Sequence, residues 1–192
     1  MATAQRIISH FKKPDTMYTP EQVLAKPSCV PKEPGFYGWY FRDLPKGVPR
    51  KGGVVANGMT LLYVGIAPSS SSSPANLRSR LRQHLRSNAA GSTLRLSIGC
   101  LLAERLNLEL RRTRSGKRRT FGPGEQVLSV WLNDHARVVF QVVKHPWGLE
   151  NQVVRALSLP LNLEFNQQHA FHSALSTLRS TSKKRADTLP CL

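Results

Sequence analysis

Glu150 is the residue whose placement is hardest to explain without chemistry. The residues three, four and seven positions beyond it are Val153, Val154 and Leu157, so a helix over 149–157 sets its carboxylate on the apolar stripe. Burying a lone carboxylate is costly unless a cation compensates. A divalent metal does this, and hard oxygen ligands suit Mg²⁺. The competing reading is an ordinary first-turn acid favoured by the helix dipole. Arg80 and His84 are a second group of interest. In a helix starting at Leu77, the stripe is Leu77, Leu81 and Leu85, and Arg80 and His84 are i,i+4 neighbours beside it. They sit at the edge of a core, where a cleft can form. Arg78, Arg82 and Arg86 fall on the other flank, suited to solvent or to backbone phosphates. Tyr37 and Tyr63 lie in apolar runs, where the plain reading is a buried tyrosine with a satisfied hydroxyl.

The elements carrying these groups follow from pattern. Gly35-Phe36-Tyr37-Gly38-Trp39-Tyr40-Phe41 is apolar on both alternating faces, as in a strand covered on both sides. A turn-rich stretch with Pro45, Gly47, Pro49, Gly52 and Gly53 follows. Val54–Ala56, Asn57-Gly58 and 59–64 then read as a hairpin, because Asn-Gly tolerates positive φ. Ser69–Ser73 is a flexible connector to the first helix. Residues 92–110 read as helical, 109–121 as a hairpin and 125–135 as a short helix. Val138–Val143 is a β-branched buried strand, and a helix over 149–157 stops before Pro160. His169 to Arg179 reads as a last helix. His169 and His172 lack a third ligand nearby, which makes them packing or surface residues rather than a metal site.

The chain has 192 residues and a net charge of +17, enough for one compact domain with a strong pull towards polyanions, nucleic acid above all. Residues 111–119 carry six positive charges and no acid, which on a hairpin makes a basic finger for phosphate contacts. No apolar run approaches the about 20 residues of a membrane span. The three cysteines form no Cys-x-x-Cys, which argues against a zinc ribbon or a disulfide framework and for a reducing compartment. The expected location is intracellular, cytoplasmic or nucleoid-associated. A leader is the alternative, because Arg6, Lys12 and Lys13 precede any acid. Prolines at 14, 20, 27, 31 and 34 predict a poorly structured arm over 1–33, and 180–192 reads as a flexible basic tail.

Gly35-Phe36-Tyr37, then Tyr63-Val64-Gly65, then Arg80 with His84, then Glu150, then Pro160-Leu161-Asn162 form an ordered series. In this it resembles the GIY-YIG nuclease family from about Pro34 to Asn162. The resemblance implies an α/β fold: a small, mainly antiparallel three-stranded central sheet of 35–41, 59–65 and 138–143, flanked by helices, with insertions near 42–58 and 91–124 in a domain spanning 34–179. It implies a metal-dependent endonuclease cutting DNA, more than RNA, with one Mg²⁺ or Mn²⁺ on Glu150. Tyr37 and Tyr63 would lie near the attacking water and scissile phosphate, and one would be the general base. A phenol of reference pKa about 10 then needs positive charge nearby, from Arg80, His84 or the metal. Arg80 would stabilise transition-state charge. Gly35, Gly65 and Asn162 would support the site. Arg78, Arg82, Arg111, Arg112, Arg114, Lys117, Arg118 and Arg119 would bind nucleic acid. A protein partner could supply target specificity. Two departures stand out: the gap between Tyr37 and Tyr63 is long, and Ala67-Pro68 stands where many members have a basic residue. The alternative is a catalytically inactive nucleic-acid-binding module on the same scaffold.

Overall fold

The computed structural model describes residues 3–50 and 53–192; Lys51 and Gly52, in the expected turn-rich stretch, lie outside the described residues. In chain order the elements are α1 (Ala4–Lys12), α2 (Pro20–Leu24), β1 (Gly35–Phe41), β2 (Val55–Ala56), β3 (Met59–Ala67), α3 (Leu77–Arg86) and α4 (Thr93–Leu101). Then follow β4 (Arg111–Arg112), β5 (Arg119–Thr120), α5 (Gly124–His135), β6 (Ala136–Val142), α6 (Glu150–Leu157) and α7 (His172–Thr188). The central sheet is antiparallel in the order β2-β3-β1-β6. Helices cover both of its faces, which is why all seven residues of β1 are buried. Tyr37, Trp39 and Phe41 face the layer of α3 and α5, meeting Leu77, Leu81, Leu128 and Trp131. Phe36 and Tyr40 face Ile7, Ile8 and Phe11 of α1 and Val153, Val154 and Leu157 of α6. Among the described residues no helix is long and apolar enough to cross a membrane.

Four expectations need correction. The sheet has four strands, not three, because the Asn57-Gly58 turn (φ 49° and 70°) folds β2 back onto β3. The N-terminal arm is structured over residues 3–33. Its prolines punctuate helices instead of preventing them: Pro20 opens α2 behind a Thr19–Gln22 capping box, and Phe11 of α1 is fully buried. The tail is also ordered. The helix α7 runs through most of it, with Ala186 buried and Asp187 paired with Arg119 at 2.7 Å. The helical stretch expected over 92–110 ends at Leu101; turns continue to Asn107, whose φ of 50° suits asparagine.

The two-residue strands β4 and β5 form a small hairpin outside the main sheet. One ion pair ties it to the helical layer. Arg95 is fully buried and its guanidinium meets the Glu125 carboxylate at 2.7 and 2.9 Å. Arg95 also donates to the His84 carbonyl at the end of α3. Glu125 accepts from the Ala89 and Phe121 amides and from the Thr120 hydroxyl. Four elements therefore share one charge pair. Removing one partner leaves the other buried and uncompensated. Glu125→Ala is expected to lower the unfolding free energy by about 3–5 kcal/mol. Urea denaturation checks this; a drop below about 1 kcal/mol, the level of a surface pair, would contradict it.

Candidate active site

The antiparallel register of β1 and β3 sets Tyr37 opposite Gly65 and Trp39 opposite Tyr63. Both tyrosines thus lie on the same face of the sheet, two positions apart, with ring centroids separated by 6.4 Å. Gly65 makes room for this: a Cβ there would sit 2.6 Å from the Tyr37 hydroxyl oxygen. Gly35 is needed for a different reason, since a Cβ would run into the Gln141 carbonyl on β6. The helix α3 lies over this face, held by its leucine stripe, and presents Arg80 and His84 to Tyr37. The Tyr37 hydroxyl is 2.8 Å from His84 Nε2, and Arg80 Nε donates to it at 3.3 Å. Arg80 is held in place by Gln83 Oε1 at 2.6 Å and the Gly91 carbonyl at 3.1 Å.

His84 is fully buried, and its Nδ1 lies 2.7 Å from Ser92 Oγ. The Ser92 oxygen also accepts the Arg95 amide as the cap of α4. Ser92 therefore fixes the orientation of the His84 ring. Burial, then the charges of Arg80 and Arg95, hold the His84 pKa well below the usual value. That direction runs against the expectation that His84 supplies positive charge to a tyrosine. Burial raises the Tyr37 pKa despite Arg80. The Tyr63 pKa is raised too, first by burial, while Thr93 and Arg80 offset part of the shift.

The N-terminus of α6 brings Glu150 to the same place. A cleft of about 640 Å³ is lined by Tyr37, Tyr63, Arg80, Gln83, Glu150, Glu164, Trp147 and Phe165. A smaller cavity of about 270 Å³ shares Tyr63, Glu150 and Glu164 with it and adds Asn162 and Arg179. Phe165 holds its ring at the cleft with φ 57°, a conformation costly for a bulky residue and common at functional sites. The Asn162 side chain accepts the Val64 amide at 3.0 Å and donates to the Val64 carbonyl at 2.8 Å. It thereby fixes the strand between Tyr63 and Gly65. Burial, then the proximity of Glu164, pushes the Glu150 pKa up to about 7. Among the described residues neither Glu150 nor Glu164 takes part in an ion pair, and two such acids facing one pocket would suit a divalent ion. Among the described residues no three His, Cys, Asp or Glu side chains cluster to hold a metal alone. The donor set therefore matches Mg²⁺, which keeps several waters and takes one or two carboxylates plus substrate phosphate.

The basic residues divide. Arg78 Nε donates to the Val30 carbonyl at 2.6 Å, tying α3 to the N-terminal arm, and Arg82 Nε is buried. Both side chains are partly buried. Arg111 donates to the Pro190 carbonyl, Arg112 to the Leu189 carbonyl, and Arg119 pairs with Asp187. These three residues of the expected finger instead dock it against the C-terminal segment. Arg114, Lys117 and Arg118 keep exposed heads. His169 lies outside α7, where its Nδ1 accepts the Phe171 amide. Sequence reasoning misses Ser92, Thr93, Glu164 and Arg179. A serine preceding a helix reads as a cap, but its second bond to a histidine eight residues back is a tertiary contact.

A family model described as the GIY-YIG catalytic domain matches residues 35–181. No curated protein and no solved structure matches the chain.

The Glu150 pKa, raised from the usual 4.5 to about 7, carries a sign. The folded state holds this proton more tightly than the unfolded chain does. The stability it contributes is fully present below 4.5 and is lost as the pH rises to about 7. Glu150→Gln is expected to melt above wild type at alkaline pH and close to it at acid pH. Millimolar Mg²⁺ should raise the wild-type Tm at alkaline pH and leave Glu150→Gln unmoved. Equal Mg²⁺ shifts in both proteins would place the ion elsewhere.

Proposed function

The chain belongs to the GIY-YIG catalytic domain family, and on that premise we propose that it is a metal-dependent endonuclease that hydrolyses phosphodiester bonds in DNA. A nuclease-type function and nucleic-acid binding follow from the family. DNA as substrate, the metal and the residue roles are our reading. The observation that carries it is the convergence of Tyr37, Tyr63, Arg80 and Glu150 on one cleft, with His84 and Ser92 behind Tyr37.

Glu150, with Glu164 beside it, would hold one Mg²⁺ or Mn²⁺; when bound, the ion supplies Lewis acidity at the phosphate and neutralises charge on the leaving oxygen. Tyr37 is our choice as general base. With the Ser92 hydroxyl donating to His84 Nδ1, the Nε2 proton points at the Tyr37 oxygen, which also takes the Arg80 N–H. Two donors on one phenol oxygen oppose the burial that raises its pKa, and the anion, once formed, would accept the proton of the attacking water. In the reverse tautomer, Nε2 would accept the phenol proton. Neutral His84 suits either arrangement. The partly exposed Tyr63 reaches both cavities and is placed to orient the water or a phosphate oxygen. The remaining guanidinium edge of Arg80 faces charge growing on the phosphate. Trp147 and Phe165 line the cleft and give it an apolar wall.

The test is cleavage of supercoiled plasmid, branched DNA and RNA in Mg²⁺ or EDTA. Wild type is expected to cut DNA only with the metal. Glu150→Ala should slow cleavage about 10²–10³-fold, the scale of several kcal/mol of charge stabilisation. Tyr37→Phe should slow it about 10²–10⁴-fold, the range for general-base catalysis, with affinity for DNA retained. Tight binding without cleavage, unaffected by either change, would instead identify a binding module on a retired scaffold.

A further inference from the structure

A second cavity, of about 310 Å³, opens beside the catalytic cleft between the β4–β5 hairpin and α7. Lys117, Arg118 and Arg119 line it from the hairpin, and Arg179 and Lys183 from one face of α7. Among the described residues, no acidic side chain lines it. Thr93 belongs to this cavity and to both cavities of the active site, and Arg179 belongs to this one and to the smaller of those two. The groove is therefore continuous with the place where Tyr63 and Glu150 meet. Arg119 is neutralised by Asp187. Lys117, Arg118, Arg179 and Lys183 take part in no ion pair among the described residues.

Like charges gathered in a partly enclosed groove repel one another and lose hydration, so the arrangement opposes stability unless an anion occupies it. The repulsion is visible at Lys183: burial, then the charges of Arg179 and Arg119, hold its pKa below the usual value. Isolated surface lysines need no such explanation. Here four unpaired cations arrive from two elements distant in sequence, and the docking bonds of Arg111, Arg112 and Arg119 fix their relative position. An open groove lined by several cations from two elements fits a chain of phosphates better than a single small anion.

We propose that this groove binds the phosphodiester backbone flanking the scissile phosphate, with Arg179 and Lys183 of α7 as its phosphate ligands nearest the cleft. The inference rests on the nuclease reading and deepens it: the ordered C-terminal helix becomes part of the substrate site.

The experiment is fluorescence anisotropy of labelled 20-mer DNA, single-stranded and duplex, titrated with the full chain in EDTA over a series of salt concentrations. Each cation withdrawn from the phosphate backbone reduces the magnitude of the slope of log K against log[salt] by about 0.7 for single strands and about 0.9 for duplex. Arg179→Gln/Lys183→Gln is expected to reduce it by roughly 1.4–1.8. Lys183→Gln alone should reduce it by about half as much, and it removes only a partly exposed amine from the fold. Arg179→Lys/Lys183→Arg should keep the wild-type slope. Arg6→Gln/Lys13→Gln, in and just after α1 on the opposite face of the sheet, should keep it too. Inorganic pyrophosphate competing at micromolar concentration would overturn the assignment to a polymer backbone. Wild-type binding with an unchanged slope in Lys183→Gln and in the double variant would overturn the proposal and leave the nuclease reading standing. Absence of both binding and cleavage by wild type would remove the nuclease reading, and this inference with it.

Discussion

The Tyr37 hydroxyl lies inside the sheet's helical layer, where it has no bulk water and must bond to protein. Its partner is His84 Nε2 at 2.8 Å, and much of the molecule is arranged around that bond. The histidine is itself buried, so its other nitrogen needs a partner, which Ser92 supplies. Ser92 can do so only because it caps α4, and α4 is anchored by the Arg95–Glu125 pair. Arg95 then returns to the carbonyl of His84. The result is a closed circuit of side chain and backbone, in which displacing any member strands a buried polar group. Such a circuit confers geometric precision, and a site that moves protons needs that precision more than it needs stability.

Electrostatics divides the site in two. On the Tyr37 side, Arg80 and a histidine whose pKa is held low by burial face two phenols whose protons burial holds tightly. The Glu150 side is anionic and strained, with two carboxyl groups sharing a pocket and a proton bound more tightly than usual. A phosphate and a divalent ion placed between them would relieve both at once. Beyond the cleft, the net charge of +17 is not spread evenly in function. Several arginines that look free in sequence hold the hairpin and the C-terminal segment together, while four cations without an ion-pair partner among the described residues line one groove.

How much of this is legible in the sequence depends on the range of the interaction. The strands carrying Tyr37 and Tyr63, the stripe of α3 and the position of Glu150 on α6 are properties of local spacing, and the structure has all of them. That Tyr37, Tyr63, Arg80 and Glu150 line one cleft is legible only through the ordered motifs. The N-terminal arm escapes local reading because prolines look like breaks, while the burial of Phe11 against Tyr40 depends on a strand far along the chain. The tail escapes it because Lys183 to Arg185 look like a solvated run, whereas the burial of Ala186 and the Asp187–Arg119 pair hold the helix to the domain. Ser92, Glu164 and Arg179 carry no local signal of function, because each acts through a neighbour that only folding supplies.

The central claim is that Tyr37, poised by Arg80 and His84, takes the proton from the attacking water. The most direct measurement replaces Tyr37 with a fluorinated, more acidic tyrosine and follows the pH dependence of single-turnover DNA cleavage in Mg²⁺. The account predicts that the alkaline-going rise in rate moves to lower pH with the substitution at position 37 and stays in place with the same substitution at position 63. A shift produced by position 63 alone, or by neither, would contradict it.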